Sequence, residues 1–308
     1  MSILEVADIC KAFRDKQVLK GVSFDVPANS VVGFIGKNGA GKTTTIKCIT
    51  GLLKYDSGHV TVCDNEITYG RKIENGLIGY LQDVPNFYDY MTAREYLRLC
   101  AELIDIDKKS IDSLIEENLR FVGLAESKGK IGGFSRGMKQ RLGIAQAIIN
   151  KPKLLICDEP TSALDPEGRK DLLDILYNIS HSSELTSVLF STHILSDVER
   201  ICDKVVILNN GEVCFDGSIS EITNRFTVNR CTIEIEDQTA LKEISDMISS
   251  MENVKVTVNG STLSIVASDI KKLQKDVFLY AAVHSYFMDR FEVAAPNLED
   301  FFLEKIYQ

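Results

Sequence analysis

The sequence from Val31 to Thr45 reads VVGFIGKNGAGKTTT. Its apolar first half predicts a buried parallel strand, and the GxxxxGK[ST] spacing from Gly36 to Thr43 predicts a phosphate-binding loop that leads into a helix. Glycines let backbone N–H groups approach phosphates closely, and the N-terminus of a helix attracts anions. A plain glycine-rich turn explains neither the spacing nor the strand before it. The stretch therefore predicts a site for a nucleoside triphosphate.

The residue types inside this loop suit different parts of a triphosphate. Lys42 supplies a mobile cation for the β- and γ-phosphates, and the hydroxyl of Thr43 can coordinate magnesium. The candidate nucleotide-binding residues of the loop are Gly36, Asn38, Gly39, Ala40, Gly41, Lys42, Thr43 and Thr44.

Composition limits the number of domains and the kind of partner. The chain has 308 residues, enough for one large and one small domain, and its net charge of −9 argues against nucleic acid as a partner. Its eight cysteines show no CxxC pair and no metal-ligand spacing, as is usual for reduced cytosolic thiols. The N-terminus carries charges too early for a secretory signal, and no apolar run approaches the ~20 residues that span a bilayer. We therefore expect a soluble, intracellular protein that reaches a membrane only through a partner.

Antiparallel strands are predicted around the loop. Residues 3–9 and 18–26 alternate apolar and polar side chains, and a further edge strand is predicted from Ser57 onward. Phe13 lies between the first two segments. It is either a partly buried aromatic at the end of a strand or a platform on which an adenine ring stacks.

A helical segment interrupts the α/β pattern between about residues 86 and 150. A capping box at Thr92–Glu95 opens it, and the sequence FSRGMKQR (134–141) lies near its end. Ser135 is a good N-cap, and Gly137 leaves the first helical turn open to the close approach of an anion. Taken alone, this segment predicts no more than a well-capped helix.

Polar side chains follow three further apolar strands. Gln82 ends one of them, and Asp158 and Glu159 follow the run LLIC. His193 follows the run TSVLFS. Since ligands bind at the carboxyl ends of parallel strands, these side chains are expected to face the phosphates. A carboxylate pair there can hold magnesium and orient or deprotonate water, whereas a lone glutamine or histidine is more often a loop or structural residue.

These elements, in this order, resemble the ATP-binding subunit of ABC transporters over residues 2–225. The resemblance identifies Gly36–Thr43 with Walker A, Gln82 with the Q-loop, residues 134–140 with the signature segment, and Asp158 and Glu159 with Walker B. It further identifies Ser162–Asp165 with the D-loop, His193 with the switch histidine and Phe13 with the aromatic that stacks on adenine.

The resemblance implies a magnesium-dependent ATPase. Glu159 is then the base toward the attacking water, His193 contacts the γ-phosphate, and Lys42 binds the phosphate chain. The cofactors implied are ATP and Mg²⁺, and the implied metal ligands are Thr43, Gln82 and Asp158.

The signature departs from the family pattern LSGGQ at two positions, with Arg136 in place of the first glycine and Met138 in place of the glutamine. Ser135 and Gly137 remain, and in the family these groups touch the γ-phosphate of a nucleotide held by a second subunit. The resemblance therefore implies a head-to-tail pair of cassettes, with a homodimer favoured because all catalytic positions are filled. It also implies a separate permease chain in the membrane, which docks near residues 83–100 and holds the protein on the cytoplasmic face.

Residues 226–308 follow a second pattern, βαββαβ, which predicts a small ferredoxin-like α+β domain with a last helix after Pro296. The closing phrase PNLEDFFLE (296–304) resembles the C-terminus of exporter-type ATPase subunits of drug, lantibiotic and polysaccharide systems. No catalytic constellation is visible in this domain. We expect a regulatory, dimerising or stabilising role for it.

The predicted fold class is α/β, a P-loop NTPase core with an antiparallel β-subdomain and a helical insertion (1–225) followed by the small domain (226–308). The predicted function is ATP hydrolysis that powers export. The alternative is a nontransport ABC-type ATPase of translation or DNA repair, but those proteins usually carry two cassettes or a long coiled coil. A nucleotide sensor without turnover is disfavoured by the intact pair of Asp158 and Glu159.

Overall fold

The computed structural model describes residues 2–104, 106–162, 164–181, 186–225, 230–251, 254–293 and Phe302. The chain divides into two compact units, Met1–Ile219 and Ser220–Phe301, and Phe302 groups with the first. None of the helices among the described residues is both long enough and apolar enough to cross a membrane.

The first unit contains ten strands among the described residues. They are β1 (Ser2–Phe13), β2 (Lys16–Pro27), β3 (Val31–Ile35), β4 (Ser57–Val62), β5 (Asn65–Glu66), β6 (Ile78–Leu81), β7 (Leu154–Asp158), β8 (Ser187–Thr192), β9 (Lys204–Asn209) and β10 (Glu212–Ser218).

Among the described residues, six α-helices lie in the first unit, and a seventh begins at Ile219, the last residue of Met1–Ile219. They are α1 (Lys42–Ile49), α2 (Ala93–Leu103), α3 (Ile111–Phe121), α4 (Arg136–Ile148), α5 (Pro166–His181), α6 (Leu195–Ile201) and α7 (Ile219–Arg225). The last of these, α7, lies between the end of the first unit at Ile219 and the predicted domain boundary after residue 225.

Two sheets build the first unit. One is antiparallel with the order β2-β1-β4-β5, and the other has six strands in the order β10-β9-β3-β8-β7-β6. In the second sheet only β10 runs antiparallel to its neighbour. Every residue of β3, β7 and β8 is buried, because both faces of this sheet are covered. On one face the antiparallel sheet packs against it, as in the stacked rings of Phe24 and Phe34. That is why their sequences read as continuous apolar runs rather than alternating ones.

The strand register brings the ends of four strands together. Ile35 at the end of β3 lies beside Thr192 at the end of β8, and Asp158 at the end of β7 lies beside Ser191 of β8. Leu81, the last residue of β6, pairs with Cys157 of β7. One edge of the sheet therefore carries every segment that the sequence predicted to follow a buried strand.

The helical segment consists of α2, α3 and α4 together with a short 3-10 turn at Ile131–Gly133. The predicted capping box is confirmed, since the Thr92 side chain and the Glu95 side chain each accept from the other residue's backbone N–H. Arg94 of α2 ties this segment together: it donates to both carboxylate oxygens of Glu116 in α3 and to the carbonyls of Ala125 and Ser127.

The second unit has the βαββαβ order that the sequence predicted. Its elements are β11 (Arg230–Glu234), α8 (Gln238–Ser249), β12 (Val254–Asn259), β13 (Thr262–Ala267), α9 (Ile270–His284) and β14 (Arg290–Val293). The sheet order is β12-β13-β11-β14, with all neighbours antiparallel. This is the predicted ferredoxin-like arrangement, in which apolar side chains of the sheet and of both helices form one core.

The last strand of this unit differs most from its sequence-based prediction, which placed it over residues 286–292. The strand begins at Arg290, because Ser285 adopts a left-handed conformation (φ 59°) that ends α9 and four residues then turn the chain. The phrase at residues 296–304 lies outside the described residues except for Phe302, which is helical and buried. The helix predicted after Pro296 stays a prediction.

Candidate nucleotide site

The loop between β3 and α1 has a backbone shape that requires glycine at two positions. A side chain at Gly36 would place its Cβ 2.6 Å from the carbonyl oxygen of Leu208. Gly41 has φ 114°, and a Cβ there would meet the Leu19 side chain at 2.8 Å. Any other residue at these positions would therefore push the loop away from the sheet.

A cavity of about 470 Å³ opens at this loop. That volume is typical of sites for small molecules. The lining residues are Val18, Asn38, Gly39, Gly41, Lys42, Thr43, Thr44, Asp83, Glu159, Ser162 and His193. Loop residues, Glu159 and His193 thus line one cavity.

Glu159 connects two of the predicted catalytic residues. Its Oε1 lies 3.1 Å from Lys42 Nζ and its Oε2 lies 2.7 Å from His193 Nδ1. The Lys42 ammonium also donates to the carbonyl of Gly36 at 2.8 Å, and only 6% of its side chain is exposed. Because an ionised carboxylate can only accept, the contact with His193 places a proton on Nδ1.

The backbone of Glu159 is held in an unusual conformation. Its φ is 48°, in the left-handed region that residues other than glycine seldom adopt. The hydroxyl of Ser191 accepts from the Glu159 N–H at 2.9 Å and donates to Asp158 Oδ1 at 2.6 Å. One serine of β8 therefore holds the carboxylate of Asp158 and the backbone of Glu159. A strained backbone such as that of Glu159 is common at functional sites.

Seven of the predicted site residues do not line the cavity, namely Phe13, Gly36, Ala40, Gln82, Asp158 and the signature residues Ser135 and Gly137. Asp158 is 2% exposed and is covered at the end of β7, and Gln82 is exposed just beyond β6. The ring of Phe13 is 46% exposed at the end of β1, with Lys11 Nζ 5.4 Å from its centroid. Ala40 is buried in the loop, where its carbonyl accepts from the backbone N–H of Gly211. Gly36 likewise shapes the loop from the side of the sheet.

The signature segment lies apart from the cavity lining of its own chain. Ser135 is exposed and caps α4 by accepting from the Met138 N–H at 3.2 Å. A Cβ at Gly137 would make only ordinary van der Waals contacts, the nearest with Leu164 Cδ2 at 3.9 Å, and Gly137 is partly exposed. Both residues are therefore accessible to a ligand presented from outside this chain.

Asp83 is a site residue that sequence reasoning missed. Its Oδ1 accepts from the Ser162 hydroxyl at 2.9 Å, and its carbonyl accepts from Gln140 Nε2 at 2.7 Å. It thereby joins the segment after Gln82, the D-loop and the signature helix α4. The signal available in the sequence was its position next to Gln82 at the end of a strand, since no motif marks it.

A second missed residue is Asp197, which is 1% exposed in α6. It accepts from the Thr161 hydroxyl at 2.7 Å and from Arg169 Nε at 2.5 Å. The helix that follows His193 is thus tied to the segment that follows Glu159. A buried carboxylate with two donors is well satisfied, so these hydrogen bonds hold the two segments together.

The thiols near the site are inert fillers of the core. Burial raises the pKa of the Cys157 thiol in β7, with Asp158 adding to the shift. Burial also raises the pKa of Cys202, and it raises the pKa of Cys48 in α1 to about 11. These thiols stay protonated at neutral pH, in accord with the role predicted from their scattered positions.

Comparison with known proteins identifies the family. A model of the ABC transporter family matches residues 19–162, and a model described as the C-terminal domain of DrrA1-3-like ATP-binding proteins matches residues 217–306. An uncharacterized ABC transporter ATP-binding protein of Bacillus subtilis, YxlF, is 43% identical over 237 residues, which is 77% of this chain and 78% of that protein. The chain belongs to the ATP-binding proteins of ABC transporters. It is an ATPase whose hydrolysis of ATP drives transport.

Two further relatives extend this ABC transporter assignment. The linearmycin resistance ATP-binding protein LnrL of Bacillus subtilis is 31% identical over 305 residues, covering 98% of this chain and 97% of that protein. A solved ATP-binding subunit of an ABC transporter is 34% identical, with a TM-score of 0.65 over 73% of this chain and 93% of that structure. The predicted family, fold class and ATPase activity are thereby confirmed.

Proposed function

We propose that this ABC transporter ATP-binding protein powers export through a separate membrane permease. The observation that carries the proposal is the likeness to a resistance protein over 98% of the chain, including the unit that follows the ATPase core. A DrrA-like C-terminal domain supports the same branch. The transport relatives argue against the alternative of a translation or DNA-repair ATPase.

We propose that two copies of the chain share each nucleotide. Asn38, Gly39 and Lys42 line the cavity of one copy, while Ser135 and Gly137 are accessible and lie outside that lining. The backbone N–H groups at the start of α4 then reach the γ-phosphate bound by the other copy. ATP closes the pair and hydrolysis releases it, which converts phosphate contacts into movement of the permease.

In this proposal Glu159 is the general base for the attacking water. It lines the cavity and contacts both Lys42 and His193. His193 orients the carboxylate from Oε2, so that Oε1 faces the lysine and the phosphate end of the cavity. Phe13, exposed at the strand end, stacks on the adenine ring.

Mg²⁺ is the proposed cofactor, held by Thr43, Gln82 and Asp158. Thr43 lines the cavity, and the buried carboxylate of Asp158 has its Oδ1 held by Ser191. Oxygen donors of this kind fit magnesium, which is usually held by one or two carboxylates together with phosphates. Bound there, the ion supplies positive charge that neutralises the phosphates.

The proposed permease contact lies in the aromatic segment at residues 83–100. Tyr96 is buried and packs edge-on against Phe87 with ring centroids 5.0 Å apart, so these two belong to the core of the helical segment. Tyr88 and Tyr90 are exposed, and their rings lie beside each other at a tilt of 37° with centroids 5.8 Å apart. Exposed tyrosines are enriched at protein interfaces, and this contact would hold the chain at the inner face of the membrane.

Purification of the tagged chain from detergent-solubilised membranes tests the proposal. A multi-spanning membrane protein should co-purify, and the paired substitutions Tyr88→Ala and Tyr90→Ala should reduce its recovery while ATP hydrolysis by the isolated chain is kept. Loss of the gene should raise sensitivity to compounds within an antibiotic panel, and wild type but not Glu159→Gln should restore resistance. Co-purification with ribosomes or DNA and no membrane protein would contradict transport.

A further inference from the structure

In the part of the chain that the structure describes, β14 is an edge strand of the sheet in the second unit. This strand pairs with β11 and with no other strand among the residues that the structure describes. The outer side of an edge strand presents backbone N–H and C=O groups that can pair with another chain. An edge strand with unpaired backbone groups is either protected against association by charged side chains or used to bind another chain.

A groove of about 300 Å³ lies beside this edge, lined by four apolar residues and by Tyr286, Asp289 and Arg290. Phe278 of α9 and Phe291 of β14 form one wall, with ring centroids 5.4 Å apart, and Phe287 and Met288 lie next to them. Phe287 is 88% exposed. Large aromatics exposed together next to an unpaired strand are typical of a protein interaction surface.

The charges on β14 are complementary to a second copy of the same strand. Arg290 and Glu292 are exposed on either side of Phe291. In an antiparallel pair related by a two-fold axis at residue 291, residue 290 of each copy lies opposite residue 292 of the other. Arginine then faces glutamate twice.

Other registers of this pairing are disfavoured. A two-fold axis at Glu292 places two glutamates opposite each other, which destabilises a cross-strand pair. If one β14 slips by one residue along the other, helix-facing side chains of one copy lie opposite outward-facing side chains of the other, because successive side chains alternate between faces. The helices of the two copies would then lie on opposite faces of the joined sheet. Charge and side-chain direction together select the axis at Phe291.

The contacts of Arg290 within one chain do not prevent this exchange. Arg290 lies 2.7 Å from Glu292 and 4.0 Å from Glu234, and all three side chains are about half exposed. Exposed ion pairs contribute little to stability, so they can be replaced by pairs across the axis.

The opposite edge strand of the sheet, β12, lacks these features. Its sequence VKVTVN has one charged residue, Lys255, which is exposed. No antiparallel pairing of β12 with itself matches opposite charges, and lysine on an edge strand is a common device against association. The two edge strands of this sheet therefore differ as expected if only β14 pairs with a second copy.

We propose that β14 pairs antiparallel with β14 of a second copy of this chain about a two-fold axis at Phe291. The two sheets join into one, and each copy covers the aromatic groove of the other. This association needs no nucleotide. It is thus distinct from the ATP-dependent pairing of the ATPase cores, and it assigns a partner to a surface outside the nucleotide site.

Sedimentation of the full chain without nucleotide tests this pairing by charge exchange. Wild type should be dimeric. Glu292→Arg leaves arginine facing arginine, and Arg290→Glu leaves glutamate facing glutamate, so each variant alone should lose about tenfold or more in dimer affinity. An equimolar mixture of the two variants should dimerise again, because opposite charges then face each other at both contacts. Lys255→Glu on β12 is the matched control and should sediment as wild type does.

Three results would overturn the proposal: a monomeric wild type, dimers of both charge-reversed variants at wild-type affinity, or a mixture that stays monomeric. Recovery in the mixture also shows that both variants fold. The ATP-dependent dimer is measured separately in Glu159→Gln with ATP present. Its persistence in a background of Glu292→Arg distinguishes failure of this surface from failure of the proposed nucleotide-driven pairing.

Discussion

The carboxylate of Glu159 accepts a hydrogen bond from the imidazole of His193 across 2.7 Å, while its other oxygen lies 3.1 Å from the ammonium of Lys42. The three side chains come from the ends of two buried parallel strands and the first residue of α1. The sheet itself therefore brings together the proposed base, its proposed orienting partner and the proposed phosphate-binding cation.

Substitution of Glu159 by glutamine should separate ATP binding from hydrolysis. The amide keeps the size of the side chain but cannot accept a proton, so ATP turnover should fall by about 10²-fold or more while binding is kept. Turnover is measured as phosphate release and binding with a fluorescent ATP analogue. An active Glu159→Gln variant would exclude this residue as the base.

Phe13 should contribute to affinity through the base of the nucleotide. Loss of one stacked ring costs about 1–3 kcal/mol for a stacked base, so Phe13→Ala should weaken ATP binding by about 10- to 100-fold. Phe13→Tyr keeps the ring and should bind nearly as wild type. Competition by inorganic triphosphate, which has no base, should be unchanged in all three proteins; an equal loss for both ligands would show that Phe13 acts only on the loop.

Asp83 and Ser162 should be energetically coupled. The hydrogen bond of 2.9 Å between them links the Q-loop segment to the D-loop. Each single alanine substitution should lower turnover, and the double variant should be no worse than the poorer single one, with a coupling energy of about 1 kcal/mol. Additive losses in ATPase activity would show that the two residues act independently.

The stabilisation of the helical segment by Glu116 should be lost in acid. The hydrogen bond from Arg94 holds the pKa of Glu116 below its ordinary value of 4.5. A carboxylate whose pKa is lower in the folded protein than in the unfolded chain stabilises the fold at a pH above its unfolded-state pKa. This contribution disappears as the pH falls through its folded-state pKa. The melting temperature of Glu116→Gln should therefore lie below that of wild type at neutral pH and approach it below pH 4.5.

Glu117 provides the control for this measurement. It is an exposed neighbour of Glu116 on α3. Glu117→Gln should follow the wild-type melting curve at every pH. A constant difference between Glu116→Gln and wild type from neutral to acid pH would show that the ion pair with Arg94 does not carry the effect.

The fold could be predicted from the sequence wherever local patterns determine the structure. Continuous apolar runs such as LLIC mark buried parallel strands, and the spacing from Gly36 to Thr43 marks the loop, because both follow from the chain's own geometry. The positions of Asp83, Ser191 and Asp197 were not accessible, since each acts through a partner more than 25 residues away. Their roles arise only when the strand ends meet.

The start of β14 is a second feature that the sequence did not predict. The apolar residues after α9 continue the strand-like pattern, so the sequence predicts a strand from residue 286. The left-handed conformation of Ser285 instead begins a turn that delays pairing until Arg290. Serine is not a residue that signals this conformation, unlike glycine or asparagine.

The central claim is that each ATP lies between Walker A of one copy and the signature segment of another. The most direct measurement is crosslinking of cysteines introduced at Gly39 and Ser135, in a Glu159→Gln chain whose eight native cysteines are replaced by serine. ATP should produce an intermolecular crosslink, and a cysteine at exposed Ser113 in place of Ser135 should produce none. If ATP binds but Gly39 and Ser135 never crosslink between copies, the shared site is contradicted.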